Sequence, residues 1–166
     1  MIERNRKLPQ SRYYLLAANY GINALATQQP MDEGFLFLTV GILASLRAVQ
    51  HSLMNHDSTL SAQHKVVIDR WKKLTPMDGP EITFIKTSRD LILKEGAFEG
   101  YAGMRHSLSA NTTGPGVTYD TGYWVDGRRR DLLADMRTAA AWCDRQLSTI
   151  EEQVPAINLP GDRVVD

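Results

Sequence analysis

Apolar residues recur along this chain with the period of amphipathic helices in five separate segments. The last is the cleanest. Leu132, Met136, Ala139, Cys143, Leu147, Ile150 and Val154 follow an i, i+4, i+7 rhythm, which predicts a helix over about 129–153 that Pro155 stops. A segment over about 31–55 starts behind Pro30 with Asp32 and Glu33, a first turn that suits the helix dipole. Its first half is apolar nearly all round, so it belongs at the centre of a bundle. The stretch 61–74 sets Leu60, His64, Val67, Trp71 and Leu74 at helical spacing and ends before Pro76. At about 80–95, Asp78 or Gly79 can cap, Pro80 fits the first turn and Gly96 suits the end. The first helix, about 11–28, takes Ser11 as its cap, with Tyr13, Tyr14, Ala17, Gly21, Ala24 and Leu25 near one stripe.

Between 101 and 127 the period changes from helical to alternating. Met104, His106, Leu108 and Ala110 alternate with polar residues, as do Val117, Tyr119, Thr121, Tyr123 and Val125, and NTTGPG lies between the two runs. The pattern predicts a β-hairpin-like excursion at about 104–125 lying on the helices, or else an irregular excursion. The fold class is therefore mainly α: a four- to five-helix bundle forming a single domain over 1–166.

With 166 residues, 43% hydrophobic and 23% charged, the composition fits one globular domain with a continuous core. The formal net charge of zero argues against a broad basic face for non-specific nucleic-acid binding. It leaves room for a local basic patch, and it offers little electrostatic resistance to self-association. One cysteine, Cys143, excludes an intrachain disulfide. The opening MIERNRKLPQ is charged and has no apolar stretch of the secretory type. The greasiest run, GFLFLTVGILASL, is shorter than the roughly 20 residues of a membrane span. These features point to a cytoplasmic protein without membrane association.

Candidate chemistry concentrates in the fourth helix. Ile82, Ile85, Arg89 and Ile92 form one ridge, with Phe84, Ser88 and Leu91 as its neighbour. Arg89 thus emerges from the apolar side, where an unpaired guanidinium is costly, so it needs a carboxylate, carbonyls, a partner subunit or a phosphate. Asp90 sits about 100° round the helix and does not face it.

The run from Phe35 through LTVGILASLRAVQHSLM, then HKVVIDRWKKL, then PEITFIKTSRDLILKEG resembles the core of small bacterial HEPN-domain proteins. The resemblance covers about residues 12–96, and the last helix completes the bundle. It implies two central helices, a shorter helix carrying an Arg-polar-x-x-x-His motif, and a homodimer whose paired motifs cleave RNA without metal. Arg89 matches the motif arginine and Asp90 the polar residue after it. The histidine position holds Lys94, which can hold a phosphate as a point charge but is a poor general base. Proton transfer would then fall to another residue, and His106 is the nearest histidine in sequence.

Arg128, Arg129 and Arg130 are expected to open the last helix, either as a phosphate receptor or as a solvated end. Tyr123 and Trp124 pack or stack a base. His51 and His56, five apart, do not share a helical face as zinc ligands would. His64 is expected as a hydrogen-bonded, partly buried core residue and Cys143 as a small hydrophobe. No metal or cofactor is expected. The expected partners are a second copy, through the faces of the second and fourth helices, and RNA or another protein. Two readings stay open: a non-catalytic dimeric helical protein, RNA-binding or regulatory, and a metal-independent ribonuclease of toxin or defence type. Lys94 favours the first.

Overall fold

The computed structural model describes residues 7–27, 33–76, 79–94, 122–125 and 128–157. Five helices carry nearly all of its regular structure: α1 (Pro9–Leu25), α2 (Glu33–Asn55), α3 (Ala62–Leu74), α4 (Pro80–Lys94) and α5 (Leu132–Glu151). A 3-10 turn, Asp57–Thr59, joins α2 to α3, and a short hairpin of β1 (Gly122–Val125) and β2 (Arg128–Asp131) precedes α5. The chain is a mainly α bundle, as the periodicity predicts.

α1 starts two residues before Ser11, so Ser11 is not its cap. The N-cap is Leu8, whose side chain cannot accept a hydrogen bond. Asp57 does that work from across the fold. Its carboxylate accepts from the Gln10 backbone N–H (3.2 Å), the Ser11 backbone N–H (2.9 Å) and Ser11 Oγ (2.5 Å). Orphan donors of the helix start are thereby satisfied by a fully buried anion placed at the positive end of the helix dipole.

The true core ridge of α1 is Leu8, Ser11, Leu15, Ala18, Ile22 and Leu25, spaced alternately three and four apart. Tyr13 and Ala17, expected on the buried stripe, are exposed. Tyr14, Gly21 and Leu25 of the expected stripe do face the core, Tyr14 partly buried against it, while polar Ser11 interrupts the real ridge.

α1 and α2 form the most extensive pair in the fold. They run antiparallel, since Ser11 Oγ lies 3.3 Å from the Val49 carbonyl while Gly21 sits beside Ile42 near the other end. A Cβ at Gly21 would lie 2.7 Å from Ile42 Cγ1, so only glycine permits this approach. By length and composition alone, Phe37–Thr59 could also cross a membrane. Within the fold its Ile42, Leu43, Leu46, Val49 and Leu53 are buried in the bundle core.

α5 closes the bundle with Leu132, Met136, Ala139, Cys143, Leu147 and Ile150, every one buried. Each large side chain among them contributes about 1.5–3 kcal/mol relative to exposure. Arg12 ties α1 to this helix. Its Nε donates to Glu151 Oε1 (2.8 Å), its Nη2 to Glu151 Oε2 (2.5 Å) and Ser148 Oγ (2.9 Å), and its Nη1 to Asp144. The bidentate bond to Glu151 raises the guanidinium pKa above its usual range, with Asp144 adding to the effect against a desolvation cost.

Candidate functional site

The residues expected to carry chemistry fall in two places. Arg89, Asp90 and Lys94 lie on the C-terminal half of α4, which stays helical through Lys94. Five positions on a helix amount to about 7.5 Å of rise and 140° of rotation, so Arg89 and Lys94 do not share one face. The described half of α4 buries Ile82, Phe84, Ile85 and Ser88, so both expected ridges are core-facing there. α4 packs on α2 and α5 within the same chain. The side chains of Arg89, Asp90 and Lys94, all of His106, and the expected strands at 104–110 and 117–121 lie outside the described residues.

The arginine triplet is placed differently from expectation. Arg128, Arg129 and Arg130 lie on β2, not in α5, which begins at Leu132 with Asp131 as its cap. The Asp131 carboxylate accepts from the Ala134 backbone N–H (3.0 Å). This relieves the conflict of three cations in a first helical turn, where the dipole opposes them.

The strand described as the partner of β1 is β2. Its antiparallel register sets Tyr123 opposite Arg130, Trp124 opposite Arg129 and Val125 opposite Arg128. Directly opposed residues of an antiparallel pair share a sheet face. Each aromatic position of β1 is therefore matched to a cation. The linking residues Asp126 and Gly127 are the dipeptide most characteristic of a two-residue hairpin, a signal the alternation at 104–125 overshadowed.

Arg130 connects this hairpin to the bundle. Its Nη2 donates to Asp135 Oδ1 (2.7 Å) in the first turn of α5. The pair borders an open pocket of about 60 Å³ lined by Pro80, Glu81 and Phe84 of α4, Arg130, and Asp135 and Thr138 of α5. Thus the structure brings Arg130 to the start of α4. Arg89 lies about 7.5 Å further along that helix from Phe84, and Lys94 about 15 Å.

The other titratable candidates serve the fold. His64 is fully buried. Its Nε2 donates to the Lys7 carbonyl (2.9 Å), an acceptor only, which fixes the Nε2–H tautomer and leaves Nδ1 to accept from Ser61 Oγ (2.8 Å). Ser61 in turn caps α3 by accepting from the His64 backbone N–H (3.2 Å). Trp71 Nε1 donates to Gln146 Oε1 (2.8 Å), binding α3 to α5. Burial pushes the Cys143 thiol up to about 12, with the Asp144 charge adding to the shift, so it packs as a neutral group. The rings of His51 and His56 lie 6.4 Å apart between centroids and are tilted by 59° to one another. Among the described residues no three His, Cys, Asp or Glu side chains gather as a metal site requires.

No protein-family model, curated protein or solved structure matches the chain.

Proposed function

We propose that this chain is a non-catalytic, RNA-binding helical protein of HEPN-like build. The RNA surface is the β1–β2 hairpin together with the C-terminal half of α4, which carries Arg89 and Lys94. The observation that carries the reading is the hairpin register, which sets Trp124 opposite Arg129 on one face of the ribbon and Tyr123 opposite Arg130 on the other. Aromatic positions paired with arginine positions suit a single strand of RNA. Bases stack on rings at about 1–3 kcal/mol each, and arginines meet the phosphates. A local patch of this kind is compatible with a formal net charge of zero, because it asks for few cations in one place.

The α4 segment supports the same reading through the resemblance to HEPN-domain proteins. Arg89 and Lys94 supply positive charge, while the histidine that the family's chemistry uses for proton transfer is replaced by Lys94. Electrostatic binding survives that exchange. General base catalysis does not, unless the lysine is desolvated or crowded by cations.

Binding and cleavage of one fluorescent single-stranded RNA in EDTA separate the two readings. The expected outcome is binding that Arg129→Ala weakens, with the RNA intact after long incubation. Cleavage that Arg89→Ala abolishes would replace this reading with the ribonuclease. No binding by the wild-type chain at low salt would remove both.

A further inference from the structure

Gln50, on α2, is 3% exposed. Its Nε2 is the one buried side-chain nitrogen or oxygen among the described residues that lacks a hydrogen-bond partner. Its Oε1 accepts from Arg47 Nη1 (3.2 Å). An arginine only donates, so the amide oxygen has to face it, and the amide nitrogen is held in its unpartnered position. Buried donors are nearly always satisfied, so this exception asks for an acceptor. Arg47 is itself half-buried and has no carboxylate partner among the described residues. Arg12, also half-buried, meets two carboxylates, Glu151 and Asp144.

The pair has a definite place in the bundle. Gln50 lies about 80° and Arg47 about 140° round α2 from Ile42, which packs on Gly21 of α1. Both are therefore off the α1 contact, with Arg47 nearly opposite it. Gln50 follows Val49, whose carbonyl accepts from Ser11 at the start of α1, and Arg12 ties that start to Glu151 at the end of α5. The β1–β2 hairpin adjoins the other end of α5 at Asp135, about 24 Å along the helix.

We propose that Arg47 and Gln50 form a receptor for a terminal phosphate group, that of a small phosphate monoester or of inorganic phosphate. The donor set decides the class. Gln50 Nε2 and the remaining guanidinium nitrogens supply N–H groups and no acceptor. A cationic fork beside an amide suits an oxyanion, and it matches the three oxygens and higher charge of a terminal phosphate better than a carboxylate. Burial decides the size. The amide lies inside the fold and partly exposed Arg47 leads from it to solvent, so a compact group fits where a nucleic-acid backbone, flanked by sugars on both sides, does not. A buried water would satisfy Nε2 but leave the Arg47 charge without a counter-charge. An anion answers both.

Titration calorimetry of the full chain with inorganic phosphate, against chloride of matched ionic strength, is the test. Saturable binding of one phosphate per chain is expected. Gln50→Met and Arg47→Met should each weaken it at least about tenfold. Arg70→Gln, at an exposed cation on α3, should leave it unchanged. Acetate, a carboxylate, and dimethyl phosphate, a diester, should each bind at least about tenfold more weakly than phosphate. Thermal unfolding in phosphate-free buffer adds a readout that a purely structural amide would move the other way. Gln50→Met keeps the length of the side chain and removes an unsatisfied donor, so it should melt no lower than wild type. Absence of saturable phosphate binding overturns the inference. So does binding that either methionine variant leaves intact, or that Arg70→Gln weakens equally. Acetate or dimethyl phosphate binding as tightly as phosphate gives the site to another class of anion, and a Gln50→Met chain that melts lower shows an amide already satisfied within the fold. Either result overturns it too. The titration uses no RNA, so its outcome is independent of the hairpin reading.

Discussion

Replacing Gly21 and Gly41 separately by alanine should move stability in opposite directions, although both glycines sit inside helices. The common term is propensity. Alanine in a helix interior is better than glycine by about 0.5–1 kcal/mol, chiefly through the entropy of the unfolded chain. At Gly41 nothing lies within 4 Å of the added methyl, so that gain should appear undiminished. At Gly21 the methyl would stand 2.7 Å from Ile42 Cγ1, which is the branch of a buried side chain rather than a free end. Overpacking of that kind costs about 1–3 kcal/mol, so the net effect is destabilisation by up to roughly 2.5 kcal/mol. For a chain of this length each kcal/mol moves the melting temperature by about 2–4 °C. Thermal unfolding of dilute protein reads both changes without a contribution from self-association, which matters because Gly41 lies on the outward face of α2. A double-mutant cycle with Ile42→Ala sharpens the test. With the clashing atom removed, Gly21→Ala should become neutral or stabilising. If Gly21→Ala alone raises the melting temperature as Gly41→Ala does, the close approach of α1 to α2 is refuted.

Three further outcomes follow from the buried polar groups. Asp57→Ala leaves the Gln10 and Ser11 donors without their acceptor and should cost about 2–4 kcal/mol in urea unfolding. Asp57→Asn, which keeps one acceptor oxygen, should cost less. The Cys143 thiol, pushed from 9.0 to about 12 by burial, makes stability fall as pH rises. The unfolded state ionises first, so its contribution is intact below pH 9 and is lost progressively from there to about pH 12. Near pH 10 the loss should reach about 1.4 kcal/mol, and Cys143→Ala should show a shallower alkaline slope whatever its stability at neutral pH.

The sequence made α5 almost fully legible because a single face of it packs on the core, so periodicity and burial coincide from Leu132 to Val154. α1 was less readable. Its buried ridge includes Ser11, whose hydroxyl is satisfied by a residue 46 positions away, and two of its tyrosines, Tyr13 and Tyr20, point outward. Local pattern cannot reveal a helix cap supplied from another segment, as Asp57 is for α1. The arginine triplet was misplaced for a related reason. Cross-strand pairing, not helical period, decides where Arg128 to Arg130 go, and the Asp126-Gly127 signal was the clue to it. Of the α4 site, the sequence and the structure agree on a helix carrying Arg89 and Lys94. The rotation between them follows from spacing alone.

The most direct test of RNA binding by the hairpin is the salt dependence of affinity for a labelled single-stranded RNA, read by fluorescence anisotropy. Each arginine that meets a phosphate adds about 0.7 to the slope of log affinity against log salt for a single strand. Arg128→Ala combined with Arg129→Ala should therefore weaken binding and flatten the slope by about 1.4 if both arginines meet phosphates. An unchanged slope in the double variant, or no binding by the wild-type chain at low salt, would contradict the account.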